Sequence, residues 1–206
     1  IEVNPESRRL QLLEPFPAWD GSDIEGARLL LKAKGKCTTD HISPAGPWLR
    51  FRGHLDNISD NVFSGAINAF TGEAGTGLDP VSKEKGVAYS KVARHLKEEG
   101  FRWVVVGDEN YGEGSSREHA AMEPRHLGCA AVIVRSFARI HQTNLKKQGV
   151  LPLEFSDPAD YEKVQETDCV SVHGLADLAP GKPLTVTFRH EDGSEDSVEV
   201  THTLNS

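Results

Sequence analysis

Between residues 107 and 119 the chain reads Gly107-Asp108-Glu109-Asn110-Tyr111-Gly112-Glu113-Gly114-Ser115-Ser116-Arg117-Glu118-His119. Gly112 and Gly114 would let a ligand approach the backbone closely. The amides of Ser116 and Arg117 are expected in the first turn of a following helix, where unpaired N–H groups favour anions. A carboxylate held there would also meet the planar fork of Arg117, which suits bidentate binding, and Ser115 would face it. A serine acts as a base only where its alkoxide is stabilised by the helix terminus, by nearby cations and by exclusion of water. The plainer alternative is a capping box, in which Ser115 and Glu118 satisfy the first helical amides without any ligand. The Gly-x-Ser-x-Gly elbow of hydrolases and the Gly-Lys-Ser/Thr ending of a phosphate loop are both missing, so esterase and nucleotidase chemistry fall away.

A second group of polar side chains lies in Cys37-Thr38-Thr39-Asp40-His41-Ile42-Ser43-Pro44. Asp40 and His41 could move or orient a proton, although neighbouring acid and imidazole groups are also ordinary in turns. Residues 48–52 are expected to form a short strand, whose alternation would set Arg50 and Arg52 on one face. His119, His126 and His141 lack metal-ligand spacing around a carboxylate and are assigned no chemistry. The three cysteines, Cys37, Cys129 and Cys169, are far apart and form no C-x-x-C pair. That argues against a disulfide framework or a complete metal or cluster site, and suits a reducing compartment.

Loops of this kind need a frame. Residues 1–26 read as an irregular approach segment rich in Pro and Gly, followed by a strand at 29–34. Residues 53–77 read mostly as loop. Apolar residues at helical spacing over 81–99 predict an amphipathic helix stopped by Gly100. Buried strands are expected at 101–106, 129–134 and 150–155, with a helix over 137–148 between the last two. A further helix should open at Asp157-Pro158, and residues 184–188 and 198–203 should flank a hairpin turn. The fold class is therefore α/β, with a mostly parallel sheet, flanking helices and a C-terminal β-hairpin. At 206 residues the chain suits one large domain. No run approaches the roughly 20 apolar residues of a membrane span. A net charge of −8 opposes long-range attraction to nucleic acid or anionic lipid.

Four separated motifs carry a family resemblance: residues 37–43, Gly46-Pro47-Trp48-Leu49-Arg50-Phe51-Arg52-Gly53-His54-Leu55-Asp56-Asn57, residues 107–119, and Ser136-Phe137-Ala138-Arg139-Ile140-His141. Over most of the chain they resemble the C-terminal swivel domain of the aconitase family, the mitochondrial type above all. The resemblance implies a swivelling β/β/α domain over residues 27–206, preceded by an interdomain linker at 1–26. It implies the isomerisation of citrate to isocitrate through cis-aconitate, in the tricarboxylic acid cycle of the mitochondrial matrix. By the same resemblance the serine matching Ser115 is the base, the residues matching Arg52, Ser116 and Arg117 bind substrate, and the aspartate matching Asp40 lines the site. The family's [4Fe-4S] cluster is held by three cysteines of a larger N-terminal part, which Cys37, Cys129 and Cys169 do not match. The chain is thus expected to bind no cofactor itself and to act as a hydro-lyase only with those N-terminal domains. Family members run past the position of Ser206, which suggests an excised or truncated domain. Homoaconitase and the small subunit of isopropylmalate isomerase share the Ser-Ser-Arg-Glu-His core and form the main alternative. An RNA-binding iron-regulatory domain is the alternative of another class, opposed by the negative charge and the lack of a basic stripe.

Overall fold

The computed structural model describes residues 2–205. Its strands are β1 (Ile24–Lys32), β2 (Thr76–Gly77), β3 (Val87–Ala88), β4 (Trp103–Gly107), β5 (Cys129–Val134), β6 (Leu151–Phe155), β7 (Cys169–His173), β8 (Leu184–Arg189) and β9 (Glu195–Thr201). Its helices are α1 (Thr39–Ile42), α2 (Leu55–Ile58), α3 (Tyr89–Glu98), α4 (His119–Leu127) and α5 (Arg139–Lys147). Seven strands close on themselves in the order β1-β4-β5-β6-β9-β8-β7, while β2 and β3 form a separate small ladder.

The closed sheet has two characters, and the side chains explain both. The pairs β1/β4, β4/β5 and β5/β6 are parallel, and every residue of β4 and β5 is buried. Such strands are apolar throughout because both of their faces are covered. Along β4, Val104 and Val106 enter the barrel core with Ile133, Phe188 and Val200, whereas Trp103 and Val105 pack outward with Val92, Leu96, Leu127 and Leu145 from the helices. The pairs β6/β9, β9/β8, β8/β7 and β7/β1 are antiparallel. In β8, Leu184, Val186 and Phe188 are buried while Thr185 and Arg189 are exposed, as on a sheet with one wet face.

The expected parallel core and C-terminal hairpin are present, and they belong to a mixed sheet rather than a mostly parallel one. Strand β7 was not foreseen, since Cys169-Val170-Ser171-Val172-His173 is short and only half apolar. The first strand begins at Ile24, earlier than its most apolar residues suggest. The helix expected over 81–99 is confined to α3, because Val87–Ala88 pairs with Thr76–Gly77 as β strand. Asp157-Pro158 opens a 3-10 turn, Pro158–Lys163, in which Asp157 caps Ala159. Residues 48–52 are no strand either: Gly46–Phe51 is a 3-10 stretch with Pro47 in its first turn. Strand alternation therefore does not relate Arg50 to Arg52, and the Arg50 guanidinium instead lies 4.5 Å from the Phe51 ring centroid.

Candidate active site

Three loops leave the C-terminal ends of β1, β4 and β5, the end of a parallel sheet where ligand sites gather. Backbone bonds stitch them together. The Gly112 amide donates to the Cys37 carbonyl at 2.8 Å and the Thr39 amide to the Glu113 carbonyl at 3.0 Å. On the other side the Tyr111 amide donates to the Ser136 carbonyl, the Ala138 amide to the Tyr111 carbonyl, and the Asn110 amide to the Ser136 hydroxyl. The motif at 136–141 is thus the support on which the loop after β4 rests. Beneath it Tyr111 is buried against Phe137 and His141. His141 is itself 2% exposed, both ring nitrogens lack partners, and burial lowers its pKa to about 4, so the ring is neutral.

On this frame the two polar stretches of the sequence meet. Nη1 of Arg117 donates to Oδ1 of Asp40 at 2.6 Å and to the Ser43 carbonyl at 2.6 Å, joining residues 77 and 74 positions apart. The Arg117 side chain is 16% exposed and that of Asp40 62% exposed, so the pair sits at the mouth of the site. Ser115 and Ser116 are exposed beside it. Arg52 is exposed as well, and Nε2–H of His119 donates to its carbonyl at 2.9 Å, which ties the Arg52 segment to the start of α4. Asp40, Ser115, Ser116 and Arg117 are therefore gathered ahead of one helix start, which the Arg52 carbonyl also reaches. Arg50 and Arg52 line one shallow pocket with Arg9, Leu10, Leu49 and Gly53.

The capping box expected of Ser115 and Glu118 is absent. Helix α4 begins at His119 and Glu118 makes no side-chain cap. The Arg117 amide donates instead to the Ser115 carbonyl at 2.7 Å, and residues 115–118 form an irregular turn ahead of the helix. Ahead of this turn Gly114 has φ +111°, a conformation side chains resist. A capping box does occur, at Thr38 and His41, where the Thr38 hydroxyl accepts the His41 amide and Nδ1 of His41 accepts the Thr38 amide. Nδ1 of His41 is committed to the backbone rather than to proton transfer.

One residue outside every motif singled out, Glu123, meets Ser43 of the second polar group. Ser43 and Glu123 are fully buried below Arg117, and the Ser43 hydroxyl donates to Oε1 of Glu123 at 2.6 Å. Burial drives the Glu123 pKa up to about 8 against the Ser43 hydrogen bond and the Arg117 charge. Its signal was there to be seen: a glutamate on the inner face of a helix otherwise lined by Ala120, Ala121 and Leu127.

The cysteines do not converge on a metal. Cys37 and Cys129 are buried in the apolar layer, where burial raises the Cys37 pKa to about 12 and pushes the Cys129 thiol up further. Cys169 lies on β7 and accepts from Arg28. Among the described residues no group of three or more His, Cys, Asp or Glu side chains could hold an ion.

Comparison with known proteins bears on this arrangement. Residues 27–158 match the family model described as the aconitase C-terminal domain. The chain is 60% identical over 205 residues to a protein of Caenorhabditis elegans named probable aconitate hydratase, mitochondrial, and 55% identical over 206 residues to aconitate hydratase, mitochondrial, of Saccharomyces cerevisiae. Each match takes in 100% of this chain and 26% of the relative's length. Among solved structures, that of 3-isopropylmalate dehydratase from Methanocaldococcus jannaschii superposes with a TM-score of 0.56 at 20% identity, over 89% of this chain and 84% of that one. At that identity the likeness speaks for the fold alone.

Proposed function

The chain belongs to the aconitase C-terminal domain family, and from that membership we infer that it forms one wall of the active site of an aconitate hydratase. The whole enzyme is a hydro-lyase that interconverts citrate and isocitrate through cis-aconitate, and in keeping with the relatives' names it works in mitochondria. Residues 27–206 are the domain and residues 1–26 the segment that links it to the N-terminal domains, except that Ile24 to Gly26 already belong to β1 of the closed sheet.

The observation that carries this reading is the contact between Arg117 and Asp40. It brings the two stretches with acid–base and carboxylate-binding chemistry to the same mouth, beside exposed Ser115 and Ser116. Ser115 takes the proton from the substrate carbon next to a carboxylate, and returns it to the double bond of cis-aconitate in the reverse step. Its alkoxide is stabilised by the guanidinium two residues away, in a cleft that the rest of the enzyme closes to water. Arg117 and Arg52 grip substrate carboxylates through charge-assisted bonds, Ser116 adds a hydroxyl contact, and Asp40 holds Arg117 in place while lining the site. The family generally carries a [4Fe-4S] cluster. The cysteines of this chain do not fit it, because two are buried as protonated thiols and the third is on another face; the ligands belong to the N-terminal domains.

The test follows cis-aconitate absorbance with this chain joined to the cluster-bearing remainder of the enzyme, with citrate and homocitrate in parallel. Citrate turnover is expected, and Ser115→Ala should lower kcat about 100- to 10,000-fold while KM changes little. Preference for homocitrate would move the assignment to homoaconitase. Turnover by this chain alone would overturn the division of labour between the domains.

A further inference from the structure

Glu123 sits on the inner side of α4 with no exposed surface, among Ala120, Ala121, Pro124 and Leu127. Packing alone would favour an apolar side chain there, since a buried acid costs stability unless its polar atoms are used. One of them is used: Oε1 accepts the hydroxyl of Ser43. The other, Oε2, has no partner. Ser43 is equally buried, and its carbonyl receives the same Nη1 of Arg117 that holds Asp40. A single chain of contacts therefore runs from the core through Ser43 to the guanidinium. Among the described residues, each hydrogen bond made by the Arg117 side chain uses Nη1.

We propose that Glu123 is a positioning residue for Arg117: by fixing Ser43 it holds one guanidinium nitrogen inward and leaves the opposite edge of the fork, Nε and Nη2, free for a substrate carboxylate. The acid works in its neutral form, which burial favours. A carboxylate at this depth would draw the Arg117 charge inward and compete with the substrate for it; a neutral carboxyl keeps Ser43 in register and leaves that charge to the substrate. The inference rests on the reading of Arg117 as a carboxylate-binding residue.

The test uses the full-length, cluster-loaded enzyme carrying Glu123→Gln, Glu123→Met or Ser43→Ala, with Arg117→Lys as a reference. The readouts are KM and kcat for citrate and the Kd of propane-1,2,3-tricarboxylate, a probe that lacks the substrate hydroxyl. Glutamine is neutral and keeps an acceptor for Ser43, so E123Q should stay within about twofold of the wild type. E123M removes the acceptor and S43A the donor. Each should raise KM and the probe's Kd roughly five- to tenfold, as loss of one hydrogen bond allows, with kcat held within about twofold. S43A removes only a hydroxyl and carries the test if E123M fails to fold. Wild-type KM and Kd in S43A would overturn the proposal, and so would a fall in kcat alone in both Glu123 variants, which marks a packing role. Unchanged binding in R117K would instead overturn the reading of Arg117 on which the proposal stands.

Discussion

A methyl group added to Gly112 would lie 2.2 Å from the imidazole of His141. Backbone and ring are in contact at that point, and Gly112 also has φ +83°. Gly112→Ala therefore combines a steric clash with a left-handed conformation that an alanine resists. The expected cost is about 2–4 kcal/mol, a fall in Tm of roughly 4–16 °C for a chain this size. Calorimetry of the single variant and of the double variant with His141→Ala measures it, and the double variant should lose less than the two singles added together. An unchanged Tm in Gly112→Ala would mean that the loop after β4 can step aside from the ring.

Arg117→Lys should raise KM for citrate at least about tenfold with a smaller effect on kcat. A lysine carries the charge but not the fork, and one ammonium cannot serve Asp40, the Ser43 carbonyl and a substrate carboxylate in their present directions. Steady-state kinetics of the full-length enzyme decide the matter. Kinetics equal to the wild type would remove Arg117 from the substrate's surroundings.

His119→Ala should loosen the segment that carries Arg52, because the Arg52 carbonyl loses its donor on α4. One neutral hydrogen bond is worth about 0.5–1.5 kcal/mol, so KM is expected to rise severalfold, and by less than in Arg52→Ala. A larger effect in His119→Ala than in Arg52→Ala would show that the imidazole itself meets the substrate.

Glu123 also makes stability depend on pH. Its folded-state pKa is raised from 4.5 to about 8, first by burial, with the Ser43 bond and the Arg117 charge opposing. The folded chain thus holds a proton that the unfolded chain releases. The resulting stabilisation is complete below pH 4.5 and is lost as the pH rises through about 8. Glu123→Gln cannot ionise, so its Tm relative to the wild type should climb across that window, by at least roughly 2–4 °C for each kcal/mol relieved. Melting curves at pH 4.5, 6 and 8 test this, and a Tm difference independent of pH would place an ionised carboxylate in the fold.

Where one residue type dominates a stretch, the sequence was legible. Cys129–Val134 is a strand of six buried residues at the bounds expected, and the helix over 137–148 is present as α5 with Gly149 turning left-handed after it. The structure departs from expectation where a pairing partner or a flanking residue decides the local form. Val87–Ala88 would extend a helix were it not paired with Thr76–Gly77, and 48–52 is apolar and cationic in alternation yet coils because Gly46 and Pro47 start a 3-10 turn. The same holds in the site. Asp40, Arg52, Ser115, Ser116 and Arg117 could be picked out as candidates, but the bond between Asp40 and Arg117 spans 77 positions and no local pattern encodes it. Ser115 and Glu118 have the spacing of a cap, yet the chain makes a tight turn from Ser115 to Arg117 and enters the helix only at His119.

The closure of the seven-stranded sheet has a consequence for the domain as a movable part. Open sheets end in strands whose free N–H and C=O groups recruit other chains, by swapping or by aggregation. Here β7 returns to β1 and β9 meets β6 at Glu154 and Phe155, so no strand of this sheet has an edge left wholly unpaired. A body built this way can part from a neighbour and meet it again through side chains and loops alone, and each separation leaves its backbone as well satisfied as before.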